Sequence, residues 1–95
     1  MNDLKEVELR VHRRFMELRF SLACCWVLYT DFNNYRTVDM DAYAKHIQTA
    51  VAKLTLARLV FRRYKKVSSD DTSIDMLQFE LQTMEKLLHT YRKIL

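Results

Sequence analysis

Residues 74–95, IDMLQFELQTMEKLLHTYRKIL, carry the pattern that decides the fold. Apolar side chains step through this segment by three and four residues in alternation, at Ile74, Leu77, Leu81, Met84, Leu88, Tyr91 and Leu95. This heptad spacing gives a helix one continuous apolar seam. The seam predicts a helix that packs either inside a bundle of its own chain or against another chain in an intermolecular coiled coil.

A second stripe of the same kind precedes this segment. It comprises Met40, Tyr43, Ile47, Val51, Leu54, Phe61 and Tyr64, and it is widened towards its end by Leu56, Leu59 and Val60. Thr37 or Asp39 can cap this second helix, because short polar side chains accept hydrogen bonds from the first free backbone amides. Thr72 and Asp75 resemble a capping box at the head of the third helix.

Polar links separate the helical segments, and the chain has neither glycine nor proline. Asn33 and Asn34 are the best turn signal, since Asn tolerates left-handed backbone, and 68–71 forms the second link. The absence of both glycine and proline predicts a few long helices and excludes glycine-rich nucleotide-binding loops. We therefore predict a single all-α domain, 1–95. Its three long antiparallel helices, at about 2–32, 38–66 and 73–95, form an up-down-up bundle that self-association completes.

The first helix differs from the others because it has two apolar stripes. The main stripe consists of Leu4, Val7, Val11, Phe15, Leu18, Leu22, Cys25, Tyr29 and Phe32. The second stripe consists of Leu9, Met16, Phe20, Ala23 and Val27, and at 100° per residue it lies about 180° from the first. Such a helix either lies between the other two helices or presents its second face to another chain. We favour the second arrangement, in which the other chain is a second copy, as in a homodimer, or another protein, because a monomer seldom exposes so much apolar surface.

The segment 21–32, SLACCWVLYTDF, raises the question of a metal or redox site. On a helix the side chains of Cys24 and Cys25 diverge by about 100°, so one ion cannot easily bind both. Glu85 and His89 lie one turn apart, but the rest of a di-iron motif is missing. We expect no metal, no cofactor, no catalytic residues and no small-molecule substrate, and the protein is predicted not to be an enzyme.

The position of the protein in the cell is predicted from its apolar runs. The longest run, 22–29, has eight residues, whereas a membrane span needs about 20. The first ten residues alternate in charge and contain no apolar signal core. We expect a cytoplasmic protein that is not secreted, has no membrane partner and keeps its cysteines reduced.

The positive charge of the chain is concentrated in one region. The net charge of +4 combines residues 33–67, with eight basic and two acidic side chains, and two flanking regions that are neutral or acidic. The basic cluster at the end of the second helix comprises Arg58, Arg62, Arg63, Lys65 and Lys66. One interpretation is internal pairing with Asp70, Asp71 and Asp75. The other is a patch that binds an acidic protein surface or a phosphate backbone.

These features favour a non-enzymatic protein-interaction module: an adaptor, regulator or inhibitor that acts by surface binding. We expect it to be homo-oligomeric through the second stripe of the first helix, with the basic cluster facing another protein. The alternative is a small basic regulator that binds nucleic acid through the same cluster.

Overall fold

The computed structural model describes residues 3–34 and 37–95 and shows three helices in chain order. They are α1 (Asp3–Asn33), α2 (Met40–Val67) and α3 (Asp71–Arg92), and within the described ranges every regular element is a helix. All three helices contact one another in a body of 51 × 21 × 15 Å. The prediction of an all-α three-helix bundle is confirmed. The observed helix ends differ from the predicted ones by at most three residues, and the predicted start near residue 2 lies outside the described residues.

Contacts between the helices establish the up-down-up order. The ring of Phe15 in α1 packs on Phe61 near the end of α2, with ring centroids 6.1 Å apart. Tyr43 at the start of α2 donates a buried hydrogen bond of 2.5 Å to the backbone carbonyl of Tyr91 at the end of α3. Because each contact joins opposite halves of neighbouring helices, α2 is antiparallel to both α1 and α3. α1 packs more extensively against α2 than against α3.

The core follows the predicted stripes. Its most enclosed large side chains are Tyr43, Phe15, Leu18, Val11 and Cys25, and all three helices contribute to it. Burial raises the pKa of Tyr43 to about 12, and it also raises the pKa of Tyr91. Both phenols therefore stay neutral and serve the core as packing groups with one polar end.

Aspartate side chains cap the N-termini of α2 and α3, and the cap of α3 differs from the prediction. Asp39 caps α2, as one of the two expected candidates, by accepting from the amides of Asp41 and Ala42 at 3.0 and 3.2 Å. At α3 the expected capping box of Thr72 and Asp75 is wrong. The helix begins two residues before its predicted start, because Asp70 accepts hydrogen bonds from both the amide and the hydroxyl of Ser73.

Some residues assigned to the apolar stripes lie at the surface instead. Leu59 is 53% exposed, so its predicted place in the widened stripe of α2 is wrong. The remaining exceptions are Phe32, Met40 and Leu95, which lie at or just beyond helix ends, where the neighbouring helices no longer cover them.

Candidate interaction surfaces

The second apolar stripe of α1 forms a solvent-exposed surface, which we call the outer face of α1. It is composed of Leu9, Met16, Phe20, Ala23 and Val27. The four large side chains are between 53% and 72% exposed, and Phe20 is the most exposed of them. The predicted opposition of the two stripes explains this exposure, because the main stripe turns Phe15 and Leu18 into the core. The arrangement in which α1 lies between the other two helices is therefore wrong.

Shallow grooves border the outer face on both sides. The groove between α1 and α2 has a volume of about 580 Å³ and includes Phe20, Cys24 and His46 among its lining residues. The groove between α1 and α3 has a volume of about 290 Å³ and includes Trp26 and Leu87. The outer face is therefore a ridge between two partly apolar depressions, a shape that a helix from another molecule can cover.

Ion pairs flank the ridge and tie α1 to its neighbours. On the α2 side, Glu17 accepts from Lys53 at 3.1 Å and from Arg14 at 3.2 Å. The hydrogen bond from Lys53 is the main cause that lowers the pKa of Glu17. On the α3 side, Arg19 pairs with Glu80.

Arg13 remains free of these pairs. Glu6 and Arg10 lie one helical turn apart and form an ion pair at 2.9 Å. Arg13 and Glu17 have the same spacing but do not pair, because Glu17 turns to Arg14 and Lys53. No carboxylate in residues 3–34 or 37–95 lies within ion-pair distance of Arg13, which is exposed beside the outer face.

The side chains of the adjacent residues Cys24 and Cys25 lie in different environments, as the angle of about 100° between neighbours on a helix predicts. Cys25 lies in the core, where burial raises the pKa of its thiol to about 11, while Cys24 is partly exposed in the groove towards α2. Across the part of the chain that the structure describes, no three His, Cys, Asp or Glu side chains gather in a way that could hold a metal ion. None of the described helices combines the length and the apolar character that crossing a membrane requires.

The C-terminal end of α2 carries a second solvent-exposed surface, which we call the basic end of α2. Arg58 borders this surface and lines one depression with Arg62 and Lys65, but its charge is engaged, because it pairs with Glu85 of α3 at 3.1 Å. The remaining cations, Arg62, Arg63, Lys65 and Lys66, are all exposed. Among the described residues no carboxylate lies within ion-pair distance of these four.

The apolar residues of the basic end give it a mixed character. The ammonium group of Lys65 lies 5.0 Å from the ring centroid of Phe61, a cation–π contact within its own helix. Leu59 and Val67 are exposed between the cations and share with three of them a depression of about 400 Å³. Sequence reasoning missed these two apolar contributors, because Leu59 matched the spacing of the stripe and Val67 fell beyond the predicted helix end.

The acidic residues that follow α2 do not neutralise the basic end. Asp70 is engaged as the cap of α3, and the hydrogen bonds from Ser73 lower the pKa of its carboxyl. Asp71 and Asp75 are exposed, and neither lies within ion-pair distance of a described cation. The expected internal pairing is thus not formed within the described residues.

An exposed pair of large residues on α3 also escaped sequence reasoning. Met76 and Phe79 are about as exposed as the large residues of the outer face, although they belong to no seam. The sequence signal that could have identified them is that both positions fall between residues of the predicted α3 seam.

Comparison with known proteins gives no family resemblance on which to base a function. No protein-family model matches the chain, and neither curated proteins nor solved structures show a significant match to it.

Proposed function

We propose that this protein is a non-enzymatic interaction module that forms a homodimer through the outer face of α1. The observation that supports this proposal is the exposure of a heptad-spaced, largely apolar stripe on a helix whose opposite stripe is buried from Val7 to Cys25. Apolar surface removed from water contributes roughly 25 cal/mol per Å² to association. A second chain that covers this stripe gains that contribution without any rearrangement of the core.

In the proposed dimer the basic end of α2 remains open to a further partner. Three of its cations, Arg62, Arg63 and Lys66, share a depression with exposed Leu59 and Val67, and this combination suits an acidic protein surface that also offers apolar side chains. An adaptor, regulator or inhibitor acts in this way, by occupying a surface. We place the protein in the cytoplasm, where its two free cysteines would stay reduced.

The test of the dimer uses two phenylalanines of almost equal exposure. Phe20 of the outer face is 72% exposed and Phe79 of α3 is 73% exposed, so a glutamate at either position leaves the core intact. At high micromolar concentration we expect the Phe79→Glu variant to retain the dimer mass measured for the wild type by light scattering. Phe20→Glu combined with Val27→Glu should give folded monomer. Two variants of equal mass would contradict an interface through the outer face.

A nucleic-acid-binding regulator is the second candidate function, and the four exposed cations of the basic end favour it. Each phosphate that the protein neutralises contributes about −0.9 to the slope of log affinity against log salt for duplex DNA. We expect a binder to show a steep slope that flattens when Arg62, Arg63 and Lys66 are changed to Gln. Changing Lys86, Arg92 and Lys93 to Gln removes the same charge from the C-terminal half of α3 and the residue after it, and provides the matched control. Undetectable binding at low salt excludes this function.

A further inference from the structure

The outer face of α1 is spaced symmetrically about Leu18. Leu9 and Val27 lie nine residues to either side of this point, Met16 and Phe20 lie two residues to either side, and both pairs are exposed. Ala23 of the outer face and Arg13, which continues its heptad spacing, lie five residues to either side of Leu18 and are also exposed. A twofold interface places the same patch of both subunits together, so a stripe that is symmetric about its centre matches itself when one copy is reversed.

From this symmetry we propose that a second copy of the chain packs antiparallel on the outer face of α1, with the twofold axis at the level of Leu18. This inference rests on the proposed homodimer and specifies its direction and register. In this register the Leu9 side chain of one copy lies opposite Val27 of the second copy, and Met16 lies opposite Phe20. Every large apolar residue of the stripe then packs against another one.

Arg13 and Ala23 decide between the two possible directions of packing. A parallel pair would place Arg13 against Arg13 and Ala23 against Ala23, which gives a like-charge contact in the seam and a gap ten residues further on. The antiparallel register places the long Arg13 side chain over the small Ala23 of the second copy. The aliphatic stem of Arg13 then covers the methyl group, while the guanidinium reaches solvent at the edge.

The charges beside the stripe are compatible with this register. Glu17 and Arg19 lie nearest to the twofold axis, so each approaches its own equivalent in the second copy. Both charges are already paired within their own copy, Glu17 with Lys53 and Arg19 with Glu80. Partial neutralisation of this kind reduces the like-charge repulsion at the axis.

The length of the contact indicates a dimer of moderate affinity. The polar residues Glu6 and Thr30 lie twelve residues to either side of Leu18 and terminate the apolar stripe. The contact between them is about 36 Å long at 1.5 Å per residue. A strip of this length and one helix diameter wide covers roughly 400 Å² on each copy, so even with its bordering grooves the interface belongs to the small class, below about 1,200 Å² in total. We therefore expect monomer and dimer to exchange in the micromolar range.

Distances between spin labels at the two ends of α1 test the direction and register. Asp3 and Asn33 are exposed and lie fifteen residues to either side of Leu18, beyond the stripe. Each is changed singly to Cys in a Cys24→Ser background, while Cys25 stays unlabelled because it is buried and its pKa is raised to about 11. In the antiparallel dimer both labelled positions should be about 45 Å from their equivalents.

The possible outcomes of the labelling experiment separate the two levels of the proposal. Two equal distances near 45 Å support the inferred register. Distances below about 20 Å at both sites would show parallel packing. A slip of one heptad would lengthen one distance and shorten the other by about 10 Å. Either of these two results overturns the inference but keeps the dimer. A monomer mass with no dipolar signal overturns the dimer itself.

A charge exchange tests the predicted contact between Arg13 and Ala23. Ala23→Arg should weaken the dimer at least tenfold, because it places two guanidinium groups together in each of two equivalent contacts. Adding Arg13→Glu should raise the dimer affinity again by at least tenfold, since each new carboxylate then faces a new guanidinium of the second copy. The two positions lie about 15 Å apart within one helix, so pairing inside one chain cannot produce this rescue. A double variant no tighter than Ala23→Arg contradicts the register.

Discussion

The two faces of α1 have similar sequence patterns but different surroundings. On the inner face Phe15 is fully buried and packs on Phe61 of α2. On the outer face, five residues further along, Phe20 is the most exposed large apolar residue of the helix. Apolar residues at helical spacing therefore predict a surface that packs, but the spacing does not specify whether the same chain or another one covers it.

The strongest test of this difference truncates one phenylalanine on each face. Phe15→Ala removes a buried ring and should lower the free energy of unfolding by about 3–5 kcal/mol. Phe20→Ala should change it by no more than about 0.5 kcal/mol in dilute monomer, because an exposed side chain has little packing to lose. Urea denaturation monitored by circular dichroism at low micromolar concentration measures both values. Equal losses would mean that the two faces are not distinct.

The adjacent cysteines provide a second test of the same difference. Cys25 is buried in the core with its pKa raised to about 11, so at pH 8 only about one molecule in a thousand carries its thiolate. Cys24 is partly exposed in the groove between α1 and α2. With a chromogenic disulfide reagent at pH 8 we expect Cys24 to react at least 100-fold faster than Cys25. The Cys24→Ser variant should lose the fast phase alone, and a single rate for both thiols would contradict the assigned burial.

The link between α2 and α3 tests whether Asp70 acts as a helix cap and not as a counter-ion for the basic end of α2. Asp70→Ala removes the acceptor for Ser73 and should lower the melting temperature by a few degrees. Asp70→Asn keeps a capping oxygen and should retain most of the stability at pH 7. If Asp70 instead neutralised the cations, the Asn variant would lose as much stability as the Ala variant.

The pH dependence of this cap has a defined sign. The hydrogen bonds from Ser73 lower the pKa of Asp70 below its ordinary value of 3.8. The stabilisation is therefore fully present above that value and is lost as the pH falls through the lower pKa of the folded state. Between pH 7 and pH 2 the difference in melting temperature between the wild type and Asp70→Ala should narrow towards the acid end, where only the part that a neutral capping oxygen supplies remains. A constant difference would contradict the role of the charged carboxylate.

The architecture could be predicted from the sequence because it depends on local signals. Heptad spacing, the absence of glycine and proline, and cap residues such as Asp39 gave three helices with ends close to those observed. The start of α3 was misplaced because Asp70, Asp71 and Thr72 are all acceptable caps. Only the folded backbone shows that the carboxylate of Asp70 reaches Ser73.

The candidate surfaces were only partly predictable, since they depend on the relative positions of the helices. The five residues of the outer face were identified from spacing alone. Only the packed structure shows that this face is exposed and is not covered by α2 or α3. The pairing of Arg58 with Glu85 was likewise not predicted, because a contact across 27 residues of chain leaves no local trace in the sequence.

The mass of the wild-type protein over a range of concentrations tests the central claim most directly. Sedimentation equilibrium between about 1 and 500 µM should show a rise from the monomer mass of 11.5 kDa towards about 23 kDa, with a midpoint in the micromolar range. A mass that stays at 11.5 kDa throughout this range would contradict the claim that a second copy covers the outer face of α1.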